Sequence, residues 1–99
     1  MNVKELAPRA DDAAELLGAM SNPKRLLILC HLLGQELSVG ELSELVELGQ
    51  SPLSQHLAKL RALKLVAARR DGQSIRYRLA SSEVEKVLTT LHGIYCATA

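Results

Sequence analysis

The chain has no tryptophan and no phenylalanine, and two tyrosines are its entire aromatic complement. Leucine and alanine dominate the apolar content instead, a composition that favours helix over sheet. No apolar run approaches the roughly 18–20 residues that span a bilayer. The segment from Met1 to Asp12 mixes charges of both signs and has no apolar core, which argues against export and for a cytoplasmic protein. Cysteine is scarce: Cys30 and Cys96 lie far apart, and in the cytosol they are expected as thiols and not as a structural bridge. Phosphate-binding loop, nucleophile elbow and paired carboxylates are all missing, and the cysteine and histidine content fits no protease signature, so no enzyme is expected.

What is present fits one domain with one core, since the chain has 99 residues. A chain of this size buries only roughly 60–68% of its unfolded surface, and dimerisation is one way to bury more. The net charge of +1 is uninformative, but its distribution is not. Residues 1–50 carry four basic and eight acidic side chains, and residues 51–99 carry eight basic and three acidic. Lys59, Arg61, Lys64, Arg69, Arg70, Arg76 and Arg78 fall in one stretch with Asp71 as its only acid. A nearly neutral chain can thus present one strongly basic face.

Glycine and proline divide the sequence into elements. A first helix is predicted over about Pro8–Met20, with Ala13, Leu16, Leu17 and Met20 on one side. Ser21, Asn22 and Pro23 signal a second helix, apolar nearly all round and ended by Gly34. Ser38 and Glu41 have the spacing of a capping box, opening a third helix through about Leu48 with Leu42, Leu45 and Val46 inward. After a turn at Gly49 and Gln50, Ser51 and Pro52 read as the cap and first residue of a fourth helix, with Leu53, Leu57 and Leu60 on its apolar stripe. The periodicity then switches to two: Val66–Ala68 and Ile75–Leu79 flank Asp71-Gly72-Gln73-Ser74, a β-hairpin signature. Ser81, Ser82 and Glu83 start a last helix carrying Val84, Val87, Leu88, Leu91, Ile94 and Tyr95. The order α-α-α-α-β-β-α is a mainly α winged helix-turn-helix in a single domain.

Such a motif binds DNA when its second helix offers short or flexible donors to the major groove. Ser51, Ser54, Gln55, His56 and Lys59 supply them here, and Gln55 is suited to pair bidentately with an adenine edge. The hairpin adds Arg69, Arg70 and Arg76, with Gln73 and Ser74 at its tip, for phosphate and minor-groove contact. Each of these residues alone is equally compatible with an ordinary solvated surface; their joint arrangement favours double-stranded operator DNA. A winged-helix interaction module without DNA binding is the alternative.

Three stretches resemble the ArsR/SmtB family of bacterial repressors: SNPKRLLIL (Ser21 to Leu29), QSPLSQHLAKL (Gln50 to Leu60) and RRDGQSIRYRL (Arg69 to Leu79). The resemblance covers about residues 10–96. It implies a homodimer built on the first and last helices, released from an operator by an inducer. The Cys-x-Cys of the family's arsenic-type sensors is absent, Ser38, Val39 and Gly40 standing there, and Glu83, Glu85 and His92 match the zinc-type set only in part. The surroundings of Cys30 and Cys96 instead resemble the dithiol branch of sulfide-responsive, biofilm-related and HlyU-type regulators. By that resemblance, Cys30 and Cys96 sense a small reactive sulfur species or oxidant. From the residues alone, Cys30 shares a helix face with Leu26, Leu27 and Leu33 and is expected to be mostly buried, and both cysteines also fit an inert core role. A metal site from Cys30, His92 and Cys96 is a further alternative; no cofactor is expected.

Overall fold

The computed structural model describes residues 1–96. Its elements run α1 (Val3–Leu6), a 3-10 turn (Ala7–Arg9), α2 (Ala10–Met20), α3 (Pro23–His31), β1 (Leu37–Ser38), α4 (Val39–Val46), α5 (Gln50–Ala62), β2 (Val66–Asp71), β3 (Ser74–Leu79) and α6 (Ser82–Tyr95). The winged helix-turn-helix is therefore present, with additions that the sequence did not announce. The first helix extends back to Val3 through the 3-10 turn, and a third strand, β1, pairs with β3.

The helix starts follow local chemistry. Asn22 caps α3, its side chain accepting from the N–H groups of Lys24 and Arg25, while Pro23 takes the first helical position. Ser38 and Glu41 form the reciprocal capping box of α4, and Ser81 accepts from the Val84 N–H to start α6. The start of α5 differs from expectation: its cap is Gly49, not Ser51. Glu47 closes α4 in the left-handed conformation, with φ 55°, so the chain re-enters helix already at Gln50. Pro52 then sits in the first turn, where its missing N–H costs nothing.

The sheet has strand order β1-β3-β2 and is antiparallel throughout. Asp71 pairs with Ser74, which leaves Gly72 and Gln73 as a two-residue turn, and Gly72 supplies the positive φ of 64° that the turn requires. One face of the hairpin carries Val66, Ala68, Tyr77 and Leu79 toward the core; the opposite face carries Arg69, Arg76 and Arg78.

Among the described residues, fifteen buried apolar side chains make one core, with Ile28, Leu29, Leu42, Leu53, Leu57, Leu60 and Val84 entirely inaccessible. Burying each such side chain contributes roughly 1.5–3 kcal/mol. Three expectations are corrected here. Leu17 and Leu45 point outward, because Ala19 and Met20 take the buried turn of α2 and Leu42 and Val46 already fill the inward stripe of α4. The helix α3 is not buried all round: Ile28, Leu29 and Leu32 face the core, but Leu27 and Leu33 are open. Cys30 lies on that second, outward stripe and is exposed. Among the described residues, no helix is long and apolar enough to cross a membrane.

Candidate DNA interface and thiol pair

The Ser21–Arg25 segment locks three helices together. The Lys24 ammonium donates to the Val46 carbonyl at the end of α4, and Arg25 Nε donates to the Ala19 carbonyl at the end of α2. Cations placed on exposed helix C-termini satisfy open carbonyls and oppose the helix dipole. The Ser43 hydroxyl donates to the Leu48 carbonyl and tightens the turn between α4 and α5. The angle of the helix pair is thus set by named polar contacts around a leucine core.

On α5, Leu53, Leu57 and Leu60 face inward, so Ser51, Ser54, Gln55 and Lys59 are left exposed on the outer face. No side chain caps the helix start, which leaves the first backbone N–H groups free to donate to a phosphate. His56 behaves differently. It is half-buried, and its Nδ1 lies 3.5 Å from Arg25 Nη1. Burial, followed by the charges of Arg25 and Lys59, lowers its pKa and favours the neutral ring. Its nearest polar partner is thus within the protein.

The wing separates its basic residues into two groups. Arg70, Gln73 and Ser74 are exposed at its outer end. Arg69 and Arg76, opposite one another across the hairpin, converge on Glu36. Arg69 Nε donates to both Glu36 carboxylate oxygens at 2.9 Å, and its Nη2 lies 2.8 Å from Oε1. Arg76 Nη2 donates to the Glu36 carbonyl at 3.1 Å and lies 3.4 Å from Glu41 Oε1. The hydrogen bond from Arg69, reinforced by the charges of Arg69, Arg76 and Arg78, holds the Glu36 carboxyl below the usual range. Hydrogen bonds from the Ser38 backbone and side chain do the same for Glu41. Sequence reasoning missed Glu36, whose partners lie 33 and 40 positions away; an acid next to a two-residue strand carries no local signal.

Cys30 lies on the outward stripe of α3 and Cys96 at the end of α6. Both are free and exposed. Partial burial pushes the Cys30 thiol up, and the nearby Cys96 adds to the effect, an interaction that falls off with distance. Cys96 follows the last turn of α6, its N–H donating to the His92 carbonyl at 2.8 Å. Among the described residues no three cysteine, histidine or acidic side chains are clustered to hold a metal, so the Cys30–His92–Cys96 alternative is not assembled within one protomer.

The C-terminal half of α6 leaves the core. Val84 and Leu88 are buried, Val87 and Leu91 are half-buried, and Ile94 and Tyr95 are exposed. Leu6 and Leu17 are also open on the first two helices.

Comparison with known proteins agrees with this fold. The profile described as "Bacterial regulatory protein, arsR family" matches residues 22–68. Transcriptional activator HlyU of Vibrio cholerae is 51% identical over 96 residues, which cover 97% of this chain and 89% of that protein. Nodulation protein NolR of Rhizobium meliloti is 55% identical over 86 residues, covering 87% of this chain and 70% of that one. The crystal structure of the transcriptional repressor BigR from Xylella fastidiosa superposes with a TM-score of 0.93 at 38% identity, covering 99% of this chain and 100% of that one. The names of these relatives include both an activator and a repressor. The chain belongs to the arsR family of bacterial regulatory proteins and is a DNA-binding transcriptional regulator, not an enzyme.

Proposed function

We propose that the protein is a cytoplasmic, homodimeric repressor whose operator affinity falls when Cys30 and Cys96 become linked. Ser51, Ser54, Gln55 and Lys59 enter the major groove on α5, and Arg70, Gln73 and Ser74 meet the backbone from the wing. His56, Arg69 and Arg76 act first through protein partners. Supporting the dimer are the uncovered apolar side chains of Leu6, Leu17, Ile94 and Tyr95, which belong to the first and last helices. A two-fold dimer places its recognition helices for half-sites roughly 34–36 Å apart.

The observation that carries the switch is that two cysteines distant in sequence are both free and exposed, one on the outward stripe of α3 and the other at the end of α6. Partial burial makes the Cys30 thiol hold its proton more tightly than an ordinary cysteine, so Cys30 is the slower thiol to react and closes the bridge. With a disulfide donor, each of the two exchanges releases one donor thiol. With peroxide, the first thiolate becomes a sulfenic acid and the second thiol displaces its oxygen, giving two waters in all. The link ties the end of α6 to α3, and a shift of α6 at the dimer seam changes the spacing of the two α5 helices.

Intact-mass measurement and peptide mapping, after separate treatment of reduced protein with glutathione persulfide, peroxide and glutathione disulfide, test the chemistry. A Cys30–Cys96 bridge carrying added sulfur, formed only with the persulfide, identifies a reactive-sulfur sensor. A plain disulfide with every oxidant identifies a general redox switch. No modification under any condition refutes the thiol mechanism.

A further inference from the structure

We propose that Glu36 is a positioning residue for the wing: it holds Arg69 and Arg76 against the start of α4 and so fixes the angle between the wing and the recognition helix. This assigns the two arginines to posture, leaving Arg70 as the wing's phosphate contact, and it rests on the wing meeting operator DNA.

The geometry forms a continuous tie between the two DNA-facing parts. β1 pairs with β3 at Leu37–Tyr77 and Ser38–Arg76. Ser38 is also the cap of α4, and its N–H donates to Glu41 Oε1 at 2.9 Å. Arg76 approaches that same oxygen at 3.4 Å while its Nη2 donates to the Glu36 carbonyl. The wing strand, the strand leading into the helix-turn-helix and the cap of its first helix therefore share one charged cluster. Two main-chain pairings alone make a short hinge; Glu36 adds a second line of attachment through Arg69 on β2, which β1 does not touch. An arginine whose fork is occupied by a carboxylate is not free to take a phosphate without breaking that pair. Arg70 is on the other face of the hairpin, exposed at its outer end.

The sign of the Glu36→Gln effect separates posture from simple electrostatics. Removing a negative charge beside DNA strengthens binding if charge alone matters, and it frees both arginines to bind phosphate. Posture predicts the reverse: operator affinity falls by about fivefold or more, in the range of typical coupling between sites. These ion pairs are only partly open to solvent, so the melting temperature of each variant is recorded and operator affinity is compared where every variant is fully folded.

Operator affinity is measured across a salt series for wild type, Glu36→Gln, Arg69→Gln, Arg76→Gln, Arg70→Gln and the Glu36→Gln/Arg69→Gln double variant. The expected results are weaker binding by the Glu36, Arg69 and Arg76 variants with an unchanged log–log salt slope per protomer, and a double variant little worse than Glu36→Gln alone. Arg70→Gln should lower the slope by about one. Tighter or unaltered binding by Glu36→Gln overturns the proposal, as does a slope reduced by about one in Arg69→Gln and Arg76→Gln. If Arg70→Gln also leaves affinity and slope unmoved, the wing does not contact the operator and that reading fails with it.

Discussion

The proposed recognition helix α5 is held by three leucines with no accessible surface, whereas the last turn of α6 presents Ile94 and Tyr95 with 63% and 81% of theirs open. Both are amphipathic helices of similar length, 13 and 14 residues. The first has its apolar stripe satisfied inside the protomer; the second has its N-terminal half satisfied and its C-terminal half bare. The proposed DNA-reading helix thus has its apolar stripe buried within one chain, whereas the helix that ends beside Cys96 leaves part of its stripe open. Under the proposed mechanism, a modification at the uncovered end acts on assembly without loosening the fold of α5.

Breaking the buried side of this comparison gives the largest effect. Leu57→Ala should cost about 2–5 kcal/mol of folding stability, measured by denaturant unfolding, because a leucine-sized cavity opens in the fully buried core. Ile94→Ala probes the bare side. If a partner buries that side chain, losing roughly 1.5–3 kcal/mol of burial weakens the dimer about tenfold or more in sedimentation equilibrium, with unfolding of the monomer unaltered. Gln55→Ala should leave folding and assembly untouched and cost about 1–3 kcal/mol of operator discrimination, read as relaxed preference at one base pair in each half-site.

The smallest effect is a pH dependence within the reader. His56 has a lowered pKa in the folded protein, so its neutral form is favoured and the unfolded chain binds the proton more readily. Its contribution to stability is complete above the ordinary histidine value of about 6.5 and is lost as pH falls through the lower folded value. Glu36, Glu41 and Glu83 are also lowered, but they lose their contribution only below the ordinary glutamate value of about 4.3. Melting curves between pH 7 and 5 should therefore drift downward in wild type and flatten in His56→Gln, since Arg25 no longer faces a titrating ring.

The parts legible in the sequence were those decided by neighbours within a few residues. Asn22-Pro23, the Ser38–Glu41 capping box, Ser81 and the Leu53/Leu57/Leu60 stripe all act over one helical turn, and each appears as read. The hairpin turn at Gly72-Gln73 is equally local. The illegible parts depend on distant partners. β1 is two residues long and exists only because β3 lies beside it. Glu36 resembles any surface acid until Arg69 and Arg76 arrive, and the outward turn of Cys30 follows from which of two apolar stripes on α3 the core accepts. The displaced start of α5 belongs to a middle case: Ser51-Pro52 is a valid cap signal, overridden by the left-handed closure at Glu47.

The central claim is that linking Cys30 to Cys96 lowers operator affinity, and fluorescence anisotropy tests it directly. A duplex selected from a random library by the reduced protein serves as the operator. Treatment with whichever of glutathione persulfide, peroxide or glutathione disulfide forms the mapped Cys30–Cys96 link should weaken binding by wild type at least about tenfold, a change of about 1.4 kcal/mol. Reductant should restore it, and Cys30→Ser and Cys96→Ser should bind equally well before and after treatment. Unchanged binding by wild type in which the Cys30–Cys96 link has been mapped, or a wild-type response in either serine variant, would contradict the account.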